Sequence, residues 1–149
     1  MMRDMLADAD RQVDPLWNPE LGRCVVVAWA GANDLALWKH SPQVAYADVR
    51  DYCRGRLQKG FTVVVLTALP RSDVKTPPTF EANRQDLNFL IRINWREFVD
   101  ALVDVAADSN LGEAGAELNR EYFCPDRVYL NNEGLGLVAR HVFEAVSTF

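Results

Sequence analysis

The chain holds only three cysteines and two histidines in 149 residues, and each shortage removes functions. Cys24, Cys53 and Cys124 stand far apart, in no spacing that a structural metal site uses, and an odd number leaves at least one thiol unpaired. Free thiols in a reducing compartment are therefore expected. His40 and His141 are the whole supply of imidazole for proton transfer near neutral pH. No apolar run reaches membrane-span length, and Met1-Met2-Arg3-Asp4-Met5 lacks the apolar stretch of a secretory signal. A soluble cytoplasmic protein is the expectation, subject to where the natural start lies. Basic stripes are missing too. Arg23, Arg50, Arg54, Arg71, Arg92 and Arg127 are scattered and the net charge is -5, which argues against nucleic acid or an anionic membrane as the main partner. No glycine-rich phosphate loop opens a helix after a strand, which disfavours a Rossmann-like nucleotide site. Internal repeats and low-complexity tracts are also lacking.

What is present is apolar material for a core, 49% of the residues, and the whole chain, 1–149, reads as one domain. Met2, Met5, Leu6, Ala9 and Val13 recur at helical spacing, and Pro15 and Pro19 close that helix. Arg23 to Ala30 reads as a buried strand. Ser41-Pro42 forms an N-cap with proline in the first turn, ahead of a stripe of Val44, Ala45, Val49, Tyr52 and Leu57 that ends at Lys59-Gly60. Phe61 to Thr67 is a second buried strand, stopped by Pro70. Arg71 to Thr79 is a surface loop leaving the same sheet edge as Gly31. Helical spacing returns from Phe80 through Leu87, Leu90, Ile91 and Trp95. Phe98 to Val105 is a third strand, with Asp100 and Asp104 read as a solvated pattern. Gly112 to Pro125 is irregular, and Gly134 precedes a last helix carrying Leu135, Val138, Val142, Ala145 and Val146. This alternation implies an α/β protein with a short parallel sheet and right-handed crossovers, in three α/β/α layers.

Two blocks carry chemistry. Gly31-Ala32-Asn33-Asp34 follows a β-branched strand, at the carboxyl edge where open α/β sheets hold ligands. Asp126-Arg127-Val128-Tyr129 stands before the last helix, followed by Leu130-Asn131-Asn132-Glu133-Gly134. Together they resemble the third and last sequence blocks of the SGNH (GDSL-type) serine hydrolases. Val63 to Arg71, Asn88 and Trp95 are similar to a bacterial branch of that family, and Met5-Leu6-Ala7-Asp8 to the helix after its second block. The resemblance implies a flavodoxin-like SGNH hydrolase fold, N-terminally incomplete, and an ancestry in cleavage of carboxylic esters with no metal and no organic cofactor. Carried over by position, it implies Gly31 and Asn33 as oxyanion donors, Asp126 as the orienting acid and Tyr129 in the histidine position.

The implied catalytic set is broken. No Gly-Asp-Ser block precedes Gly31, and a tyrosine of ordinary pKa about 10 stays protonated at neutral pH, so it cannot act as the base. Ser41 is better explained as a helix cap. Ser72, Ser109 and Ser147 do not stand in a strand-to-helix elbow after an early strand. His40 reads as a loop residue, and His141 as packed or surface. Trp29, Trp38 and Trp95 read as core or helix-face residues, with Trp38 also able to line a cleft. Asn33 with Asp34, and Asp126, each also fit a plain turn or cap. The Met-rich start fits an internal methionine, a misplaced start codon or a real shortening.

In the family's strand order the absent strands lie beside Val25-Val26-Val27, so Cys24 to Ala30 becomes a sheet edge with no Lys, Pro or inward charge to blunt it. The expected partners are a small ester or its remnant as ligand, and a second copy or an N-terminal fragment along that strand, unless the first helix covers it. The functional expectation is an SGNH-type ester hydrolase-like protein with little or no activity. The alternative is a non-catalytic binding or assembly module on the same scaffold.

Overall fold

Ser41 shows how locally this chain is punctuated: its hydroxyl accepts the Val44 amide at 3.3 Å and starts the longest helix. The computed structural model describes residues 2–149, with side chains from Asp4 onward. Helix α1 (Met2–Gln12) is followed by short 3-10 turns at the two prolines, then strand β1 (Val25–Ala28) and the short helix α2 (Ala32–Ala36). Helix α3 (Pro42–Lys59) ends at Gly60, whose φ of 109° lets its amide reach back to the carbonyls of Arg56 and Leu57. Strand β2 (Thr62–Leu66), helix α4 (Phe80–Asn94), strand β3 (Ala101–Val103) and helix α5 (Asn132–Val146) complete the order. The architecture is α/β, with five α-helices and a three-stranded sheet among the described residues.

All strand pairs are parallel, in the order β1-β2-β3, with Val27 facing Val64 and Leu66 facing Val103. Strands β2 and β3 are shorter than their apolar runs because side chains take over the ladder at their ends. The Asp100 carboxylate accepts the Val63 amide at 2.8 Å. The Thr67 hydroxyl donates to Asp104 and accepts the Ala106 amide, and Arg92 grips the same Asp104 with two bonds. Both aspartates are therefore structural acceptors flanking β3: Asp100 is exposed, as a solvated strand pattern expects, whereas Asp104 is half-buried among its partners.

Helices lie on both faces of the sheet. Ala28, Val63 and Val65 pack with residues of α1 to α4, and Val64, Leu66 and Val103 pack with α5 and the segment from Val105 to Phe123. The second layer is lopsided. Helix α5 packs on β3, while Val25 and Val27 on the edge strand remain 39% and 44% exposed. Helix α1 does not cover them; it packs on α3, with Ala9 buried in the opposite cluster.

One correction concerns the start of helix α5. The helix begins before Gly134: Asn131 is its cap, accepting the amides of Glu133 and Gly134 and donating to the carbonyls of Arg120 and Glu121. Gly134 sits inside the first turn because a Cβ there would meet the Tyr122 carbonyl oxygen at 2.3 Å. The irregular segment is pinned by Arg84, whose fully buried guanidinium donates to Ala68 O, Gly112 O and both Glu81 oxygens. No helix among the described residues is long and apolar enough to cross a membrane.

Candidate functional site

At the carboxyl edge of the sheet β1 and β2 stop and their loops diverge, as parallel strands with flanking helices require. Between the loops lies a cleft of about 370 Å³. Trp29, Ala30 and Gly31 leave β1 into it, Asn33 and Asp34 enter from α2, and Leu69, Pro70 and Arg71 form the wall after β2. Val128, Tyr129 and Leu130 close the far side, with Met5 and Leu135 at the margin.

Gly31 has a φ of 98°, and a Cβ there would sit 2.8 Å from a methyl of the buried Leu87. Only glycine turns the chain here without strain. Its carbonyl accepts the Leu35 amide and starts α2, which places Asn33 at the cleft. Arg71 then orients that side chain, donating from Nη1 to Asn33 Oδ1 at 2.9 Å. A guanidinium has no acceptor, so the atom facing it is the amide oxygen, and the Asn33 Nδ2 remains as a donor. Arg71 is itself held: its Nε and Nη2 bond Asp73 Oδ1 and its Nε bonds Thr76. Burial raises the Asp73 carboxyl, but hydrogen bonds from Thr76 and Arg71 outweigh that and hold it below the usual carboxylate range.

The wall after β2 is fastened from α4. Asn88, wholly buried, bonds both the amide and the carbonyl of Ala68, at 2.8 and 2.9 Å. This side chain continues the hydrogen-bonding of β2 two residues past its end. Trp29 donates its indole N–H to the Thr67 carbonyl at 3.1 Å and lines the cleft, 40% exposed. Its reading as a core residue is thereby corrected. Trp38 is exposed and does not line this cleft.

Of the residues expected to carry chemistry, Gly31, Asn33 and Tyr129 meet in the cleft. Asp126 does not line it. Its Oδ1 accepts the amides of Val128 and Tyr129 at 2.9 and 3.1 Å, bonds that fold the turn presenting Tyr129 and lower the Asp126 carboxyl. No serine and no histidine is among the described residues lining the cleft. Ser41 is the α3 cap, and Ser72 borders a separate depression with its amide bonded to Arg127 O. His141 bonds Asp108 at 2.9 Å on the other side of the sheet from α2. Of the cysteines, Cys53 is buried, which pushes its thiol up to about 12, and none forms a disulfide.

Two features were not anticipated from the sequence. The sequence places Arg71 only in a loop flanking the site, although it sets the orientation of Asn33. The second is a cluster of Asp34, His40 and Asp48, in which one donor atom from each lies within 4.8 Å of the others. The spacing of these residues spans two helices and a turn and matches no linear metal motif.

Chemically the cleft offers amide and guanidinium donors above an apolar floor, with the Tyr129 phenol opposite. That set polarises a carbonyl or holds a carboxylate; it contains no activated nucleophile. No protein-family model matches the chain, and no curated protein matches it either.

Proposed function

We propose that this chain is an SGNH-hydrolase-like domain that binds a small carbonyl-bearing molecule, an ester or its acid product, with little or no turnover. The observation that carries the reading is the Arg71–Asn33 bond, which leaves the Asn33 Nδ2 to donate beside Gly31 in a cleft shared with Tyr129. In a serine esterase such donors face the developing oxyanion. Here they stabilise a ground-state carbonyl or carboxylate oxygen, and the apolar lining of Trp29, Leu69 and Leu135 takes the hydrocarbon part. The Tyr129 hydroxyl lines the same cleft and serves as a hydrogen-bond donor or acceptor to the bound molecule.

The test is a short-chain nitrophenyl ester, assayed for hydrolysis, alongside a titration with the matching carboxylic acid. Hydrolysis at the uncatalysed rate and saturable acid binding are expected. Asn33→Ala should weaken that binding about tenfold, the loss of one hydrogen bond to a charged group. Turnover that survives both Asn33→Ala and Asp126→Ala would refute the reading.

A second reading is favoured by the bare face of β1. As an assembly module the chain would pair along Val25–Ala28 with a second copy, or with a separate N-terminal fragment that adds a strand there. Val27→Lys places a charge on that edge and should shift any dimer to monomer in sedimentation. A stable monomer that binds no apolar-surface dye counts against it.

A further inference from the structure

We propose that Asp34, His40 and Asp48 bind one divalent transition-metal ion, of the zinc, cobalt or manganese class, which fastens α2 to α3 beneath the cleft. Asp34 comes from α2, His40 from the turn after it and Asp48 from the second turn of α3. Their donor atoms lie within 4.8 Å of one another. Three ligands around an ion at about 2.0–2.2 Å stand roughly 3–4 Å apart. The His40 Nδ1 and Asp34 Oδ1 are 3.7 Å apart, near that separation and too long for a hydrogen bond.

A second observation concerns the imidazole. The His40 Nδ1 is buried and has no hydrogen-bond partner. A buried ring nitrogen left unbonded is costly, and a metal bond to its lone pair removes that cost. The carboxylates point the same way. Asp34 and Asp48 are 2% and 9% exposed, so both present their carboxylates inside the fold, where a divalent ion's charge is little screened by solvent.

The ligands are placed before any ion arrives. The His40 amide donates to Asp34 O at 2.9 Å, and Lys39, with a φ of 54°, makes the reversal that brings His40 back over α2. The Ser41 cap fixes the start of α3, from which Asp48 projects. One imidazole with two carboxylates is a donor set for zinc, manganese or iron(II); magnesium and calcium favour all-oxygen sites. Because Asp34 adjoins Asn33, an ion here also stiffens the turn that presents the Asn33 amide.

The experiment uses the tag-free chain, stripped with chelator and titrated with zinc by calorimetry and with cobalt(II) by absorbance. One ion per chain and a visible ligand-field band are expected, and zinc at about 100 times its Kd should raise the Tm by about 5–10 °C. His40→Gln and Asp48→Asn should each weaken zinc binding by about 100-fold or more. Magnesium and calcium should not displace the ion. On the unmutated chain, cobalt(II) should broaden the ring resonances of His40 before those of His141, which decides the matter if a variant fails to fold. No binding at millimolar zinc, one-to-one binding unchanged in folded His40→Gln, or broadening of His141 first would each overturn the site.

Discussion

Replacing Asn88 with alanine tests how the wall of the cleft is built. Its carboxamide satisfies both backbone groups of Ala68, the residue that leads from β2 to Leu69, Pro70 and Arg71. In Asn88→Ala the Ala68 carbonyl keeps its bond from Arg84 Nη1 at 2.9 Å, so that loss is partial. The Ala68 amide loses its acceptor in a dry interior, which costs about 1–3 kcal/mol. The vacated side-chain volume adds about 1 kcal/mol. The sum, about 2–4 kcal/mol, is a large share of the roughly 5–15 kcal/mol that holds such a domain together. Urea unfolding followed by circular dichroism should show the midpoint falling at constant m, and the Tm should drop by about 5–15 °C. Asn88→Asp gives the diagnostic pattern. An ionised carboxylate still accepts the Ala68 amide but meets the Ala68 carbonyl with no proton to donate, so burial raises its folded pKa. Its deficit relative to the wild type should shrink as pH falls and the acid protonates, and grow as pH rises. A stability for Asn88→Ala within about 0.5 kcal/mol of the wild type would refute the clamp.

Other outcomes follow from single residues. Gly31→Ala must hold a positive φ and push its Cβ against Leu87, so a loss of about 2–4 kcal/mol is expected in thermal melts. Burial raises the carboxyls of Asp73 and Asp108, yet hydrogen bonds from Thr76 and Arg71, and from His141 and the Asn110 amide, leave both below their ordinary range. Glu81 behaves alike, with Arg84 and Gln85 outweighing its burial. Depressed folded values mean that stability from these groups is complete above about pH 4 and drains as pH falls through them; Asp73→Asn and Asp108→Asn should flatten that acid limb in urea titrations. Cys53, buried and pushed up to about 12, should resist alkylation at pH 8 until denaturant is added, whereas a Cys53 labelled as fast as an exposed thiol would contradict its burial.

Much of the secondary structure was legible because its signals are local. Ser41-Pro42 and Gly60 mark the ends of α3 through hydrogen bonds that reach no further than four residues. The β-branched runs located all three strands, but the ladder ended early where Asp100 and Thr67 bond the backbone from across the sheet and Asp104 holds the Thr67 hydroxyl. No pattern in a single strand announces those contacts. Gly31 was legible as a turn after a strand, and its glycine identity is explained only by Leu87, 56 positions later.

What the order of residues determined by itself is the alternation of helix and strand, the parallel sheet it implies and the polar turns at its carboxyl edge. These rest on periodicity, caps and backbone angles that neighbouring residues set. Only the tertiary structure decided which side chains share the cleft, that Arg71 orients Asn33, that Asp34, His40 and Asp48 converge, and that α5 shields β3 while β1 stays bare. The reason is physical: such meetings depend on how whole helices pack across a sheet, and residues far apart in the chain carry no local mark of the neighbour they will find.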